Sequence, residues 1–127
     1  MELRPITAAD GPKTAGPYAH AMNVVGAKEL LFIGGQMGFD ANRVTPPTFA
    51  EQVKNAFINI DRQLRAAGMT KDNLVKVTVF LADKKYRDEM RDARNAYLGT
   101  HQIAFTCVIT GIIDDQWFLE VEAYAAR

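Results

Sequence analysis

Trp117-Phe118-Leu119-Glu120-Val121-Glu122-Ala123-Tyr124-Ala125 changes character from one residue to the next, and that alternation decides the fold. Side chains along a strand point to opposite faces in turn, so Trp117, Leu119, Val121, Ala123 and Ala125 form one apolar row. Such a row calls for a cover of helices. Glu120 and Glu122 fall on the other row, between Phe118 and Tyr124, where a carboxylate beside large aromatics is paired, hydrogen-bonded or chemically employed. The plainer reading of that row is a solvated face carrying two ordinary charges.

Working outward, Ile103 to Thr110 and Leu74 to Leu81 read as strands, the latter alternating Val75, Val77, Val79 and Leu81 with Lys76, Thr78 and Phe80. The clearest helix starts at a capping box, Thr48 with Glu51. It carries Val53, Ala56, Phe57, Ile60, Leu64 and Ala67 at helical spacing and stops at Gly68. A second helix, from about Lys84 to Gly99, has a thin apolar stripe of Tyr86, Met90, Ala93 and Tyr97. Near the start, Gly11 to Pro17 reads as an extended lead-in, and Ala21 to Val25 as a strand. Gly26 to Glu29 reads as a hairpin turn into the apolar strand Leu30 to Ile33, which runs into Gly34-Gly35-Gln36. Glycine there lets a backbone or a ligand come close.

Strands, helix, strand, helix and strands predict an α+β sandwich, a mixed sheet with both helices on one face, in one domain spanning residues 1–127. Phe32 or Ile33, Phe80, Phe105, Phe118 and Tyr124 compete for the uncovered face. An apolar patch of that size predicts an oligomer formed through the sheet.

Fifteen basic and fifteen acidic residues give a formal net charge of zero, so no global field recruits nucleic acid or anionic membrane. Cys107 is the only cysteine, which fits a reducing compartment. The opening MELRPITAADG lacks the apolar run of a secretion signal, and no stretch approaches the ~20 apolar residues of a membrane helix, so a cytoplasmic protein is expected. There is no serine, which excludes serine nucleophiles. His20, His101 and Cys107 show no metal-ligand spacing, and no metal site is expected. Cys107 reads as a small buried side chain, with a reactive thiol as the sharper alternative.

Lys84, Arg87, Arg91 and Arg94 fall at i, i+3, i+7 and i+10, a basic stripe along the second helix. One reading is a solvated face balanced by Asp88, Glu89 and Asp92. The other brings Arg91 or Arg94 into a cleft, to bind an anion or to pair with Glu120 or Glu122.

GPYAHA (16–21), LFIGGQM (31–37), EQVKNAFINI (51–60), AAGMTKDNLVKVTVFLAD (66–83), IAFTCVI (103–109) and LEVEAYA (119–125) together resemble the RidA/YjgF family, reactive intermediate deaminases also labelled L-PSP endoribonucleases. The resemblance covers nearly the whole chain. It implies a chorismate-mutase-like fold and a homotrimer with small-molecule clefts between subunits. It also implies cofactor-independent hydrolysis of enamines or imines to ammonia and a 2-oxo acid. Residue by residue, it implies pocket roles for Tyr18 and Cys107 and the water-directing role for Glu120. Gly34 stands where the family has a serine, beside Gly35. Arg91 stands where it has an asparagine. Phe105 replaces the carboxylate-gripping arginine, followed by Thr106. Phenylalanine cannot hydrogen-bond a carboxylate, and each charge-assisted bond lost costs about 1.5 to 3 kcal/mol.

Three functions follow as expectations. The first is a deaminase-like hydrolase for a non-standard imine or enamine, with a cleft favouring neutral, aromatic or cationic ligands. The alternative is a trimeric small-molecule-binding protein that kept the cleft and lost the chemistry. RNA cleavage or translation inhibition, from the older label, has only the basic stripe behind it.

Overall fold

The computed structural model describes residues 1–127. Six strands, β1 (Glu2–Ile6), β2 (Ala21–Val25), β3 (Leu30–Gln36), β4 (Leu74–Leu81), β5 (Ala104–Ile109) and β6 (Leu119–Ala126), alternate with two helices, α1 (Phe49–Ala66) and α2 (Arg87–Leu98). Four of the strands form one mixed sheet in the order β3-β6-β4-β5, with β6 antiparallel to both neighbours and β4 parallel to β5. The helices pack on a single face, giving the expected α+β architecture.

The row read from the sequence is the centre of the core. Leu119, Val121, Ala123 and Ala125 are all buried, and they meet Val77, Val79 and Leu81 of β4 and Val53, Ala56, Phe57, Ile60 and Leu64 of α1. The Thr48 hydroxyl accepts from the Glu51 amide at 3.3 Å and donates to its carboxylate at 2.9 Å. The start of α1 is thereby fixed. Gly68, at φ 70°, adopts the left-handed turn that ends it.

Three expectations are corrected. Residues 26–29 do not form a hairpin within one sheet, because β2 pairs with β1, a strand the sequence reading missed, in a separate two-stranded ribbon. The segment leading into β2 touches the main sheet, where Ala19 bridges Ala104. β1 carries Arg4 and Pro5 and has no buried residue, so it offers no apolar alternation to detect. The second correction concerns the open face. It holds Phe32, 71% exposed, against Tyr124 at 5.3 Å, together with Phe80, whereas Ile33 turns into the core. Phe105 lies beside Val77 in the parallel register and so faces the helices. Phe118 precedes β6, and the Gln52 side chain accepts its amide N–H at 2.9 Å. Its ring stacks on Tyr86, which stacks on Phe49. Lastly, the second helix begins with a 3-10 turn, Lys84–Tyr86, and α2 itself runs from Arg87 to Leu98.

Candidate functional site

The sheet sorts the sequence-selected residues onto two faces. Val79 pairs with Cys107 on one side and Val121 on the other, so Phe105 and Cys107 share the helix-covered face with the core. Glu120, Glu122 and Thr106 point the opposite way, with Phe80 beside Glu120 and Thr78 beside both Glu122 and Thr106. No single chain brings Glu120 and Phe105 together.

On the helix side a cleft of about 470 Å³ opens between the β5 edge, α2 and the lead-in segment. It is lined by Tyr18, Phe105 and Cys107, and by all four members of the basic stripe. The stripe splits into two kinds of residue. Arg91 is half-exposed and held by Asp88 and Asp92, each at 3.3 Å, as a solvated face would have it. Arg94 is 4% exposed and has no acidic partner. Its Nε and Nη2 donate to Asn95 Oδ1 at 3.2 and 3.0 Å, and its guanidinium lies 4.4 Å from the Phe105 ring centre and 5.6 Å from that of Tyr18. The two rings, 5.8 Å apart, clamp the cation by their π faces. Burial pulls the Arg94 pKa below its ordinary value, and the charge stays on a group that proteins do not deprotonate.

Phe105 therefore does not leave the cleft without a guanidinium, because α2 supplies one over the ring. This corrects the picture of a neutral cleft. Pairing of Arg91 or Arg94 with Glu120 or Glu122 inside the chain does not occur, since the carboxylates sit on the other face. The signal for Arg94 was present in the spacing of the stripe. That only this member is buried depends on α2's rotation, which the thin apolar stripe fixed poorly. Cys107 has its thiol pKa raised by burial, partly offset by Arg94 and Arg87.

The second group gathers at the end of β3. Pairing passes from Ile33–Ala123 to Gln36–Val121, so β3 carries one extra residue, a bulge at Gly34-Gly35. A side chain at Gly35 would collide with the Glu120 carboxylate, which is seated directly over it. Gly34 faces open space, and nothing would obstruct a side chain there. Thr106 lies apart from this group and accepts a hydrogen bond from Lys76 Nζ at 2.6 Å. Lys76 also feels the charge of Glu122, though burial dominates and lowers its pKa.

Comparison with known proteins identifies the family and the fold. The family model described as Endoribonuclease L-PSP matches residues 8–127. Protein HMF1 of Saccharomyces cerevisiae is 31% identical over 126 residues, covering 98% of this chain and 95% of that protein. A Bos taurus protein named 2-iminobutanoate/2-iminopropanoate deaminase is 32% identical over 124 residues, covering 96% and 88%. The crystal structure of RidA from an Antarctic Psychrobacter superposes with a TM-score of 0.75 at 25% identity, covering 98% of this chain and 99% of that one. With the family model matched over residues 8–127, the chain belongs to the endoribonuclease L-PSP family, the RidA/YjgF group that its sequence blocks resemble.

Proposed function

We propose that this protein is a cofactor-independent imine or enamine hydrolase of the deaminase type, working in clefts shared by two copies of a homotrimer. The observation that carries the proposal is the split of the site. Tyr18, Arg94, Phe105 and Cys107 open on the helix side, and Glu120 with Gly34-Gly35 opens on the uncovered sheet face, so each group lacks what the other holds. A second copy docking by its sheet face would complete the cleft. The exposed Phe32 and Tyr124 give that face an apolar surface to bury.

In the completed cleft, Glu120 accepts a proton from water as its oxygen adds to the carbon of the C=N bond. The nitrogen takes up a proton, the C–N bond of the resulting carbinolamine breaks, and ammonia and a carbonyl product leave. Water is the only co-reactant. Arg94 takes an acidic group of the substrate while the aromatic clamp excludes solvent around it. The relatives named as 2-iminobutanoate/2-iminopropanoate deaminases support this reaction class.

Ammonia release from a panel of freshly generated imines tests the proposal. Glu120→Gln is expected to lower the rate about 100-fold or more, within the range of general acid–base contributions, with binding of carbonyl products unchanged. Equal rates for both proteins would remove the carboxylate from the mechanism. A compound that raises the melting temperature but is recovered intact would favour the binding-only alternative.

A further inference from the structure

The cleft on the helix side carries more positive charge than a monoanionic substrate requires. Lys84, Arg87, Arg91 and Arg94 all line it, and no acidic side chain does. Of these four cations, only Arg91 has carboxylate partners within the chain. Even if the Glu120 of a second copy enters the cleft, as the proposed function has it, Lys84, Arg87 and Arg94 together outnumber it.

The charges are also placed where the fold does not favour them. Like charges three and four residues apart repel along a helix, and cations at a helix N-terminus oppose its dipole. Arg87 is the first residue of α2 and Lys84 lies in the turn before it. The Asp83 carboxylate caps the 3-10 turn by accepting from the Lys85 amide at 2.8 Å, and no side chain caps α2 itself. Asp88 and Glu89 in the first turn complement the dipole, but Asp88 is engaged with Arg91, and neither lines the cleft. At the floor, burial of Arg94 without a counter-charge adds a desolvation cost. Its Nη1 makes no hydrogen bond within the chain, while Asn95 holds Nε and Nη2 and the rings fix the plane. The free edge of an oriented, buried guanidinium is a carboxylate receptor in waiting.

Arg94 and Arg87 are seven residues apart, about 10 Å along the helix axis, which the flexible Arg87 side chain shortens. We infer that the cleft takes a substrate with two acidic groups, an imine or enamine of dicarboxylic type. One carboxylate lies against the free edge of Arg94, beside Phe105 and Tyr18. The second reaches the rim at Arg87 and Lys84. This inference rests on the small-molecule cleft of the proposed function and specifies its substrate class.

Calorimetric titration with two stable carbonyl probes, 2-oxoglutarate with two carboxylates and 2-oxobutanoate with one, tests it. Wild-type protein is expected to bind 2-oxoglutarate about tenfold more tightly or better, with an affinity that falls as salt is added. The double variant Lys84→Met/Arg87→Met, altered only at exposed positions, is expected to lose that preference while keeping its affinity for 2-oxobutanoate. Arg94→Met is expected to weaken both probes about tenfold or more, and Arg94→Lys, which keeps the charge without the planar fork, to recover part of the loss. Equal affinity for the two probes, absence of binding by either, or a preference that survives the double variant would overturn the inference. Ammonia release is read separately. A dicarboxylate preference without hydrolysis would leave the charge assignment standing and remove the hydrolase reading, and hydrolysis without the preference would do the reverse.

Discussion

Cys107 and Arg94 share a cleft, and each perturbs the other's charge. Burial raises the thiol pKa, and the guanidinium pulls it partly back, so Cys107 is a neutral thiol at physiological pH. Alkylation by iodoacetamide is therefore expected to be slow at pH 7 and to accelerate only at more alkaline pH than for a free cysteine. Removing the cation in Arg94→Met should push the midpoint of that profile still higher. A thiol that alkylates fully at pH 7 would contradict the assignment. The family resemblance marked Phe105 as a missing arginine, and the stripe on the second helix offered Arg91 or Arg94 as a substitute beside the plainer reading of a solvated face, without deciding between them. That outcome depends on which face of a charged helix turns inward, and side-chain packing decides it.

α1 is joined to the rest of the fold by more than its apolar stripe. Gln52, buried at its start, donates through Nε2 to the carbonyls of Pro46 and Gln116 at 2.9 Å each and accepts the Phe118 amide at 2.9 Å. One helical face further along, Asn55 donates to Gly38, and Asn59 donates to Met37 and Phe39. These bonds fix the segment that leaves β3 and the approach to β6, hence the two stretches on which Gly35 and Glu120 sit. Gln52→Leu keeps the volume but strands three backbone groups, and it should cost about 2 to 4 kcal/mol of stability, read from urea denaturation. Retention of wild-type stability would show that water replaces the amide. The elements themselves were largely legible. Period-2 alternation gave β4 and β6, helical spacing gave α1, and a capping residue placed its start. Polar residues at 52, 55 and 59 share a helical face too, but nothing in their identity distinguishes a buried tie from a solvated edge. β1 escaped because a ribbon with no buried side has no pattern, and the supposed hairpin failed because pairing partners are chosen by the whole sheet.

At the scale of the molecule, the alternation of β6 assigns opposite duties to neighbouring positions. Val121 closes the core of its own chain, and Glu120 faces away from it, over Gly35. In the proposed assembly the carboxylate serves a cleft whose arginine belongs to another copy. Activity then belongs to junctions rather than to chains. Two variants that are each impaired, Arg94→Met and Glu120→Gln, should recover turnover when unfolded together and reassembled. With random mixing in equal amounts, about a quarter of the junctions pair an intact arginine with an intact glutamate. Ammonia release from the mixture, read at substrate well below saturation, should approach that share of the wild-type rate, while either variant alone stays below it. A mixture of properly assembled proteins no more active than the separate variants would mean that each chain must supply both groups to its own cleft. In that proposed assembly a lesion has no fixed severity: its effect depends on what the adjoining copy carries, so the dominance of a defect is written into the way a strand alternates its sides.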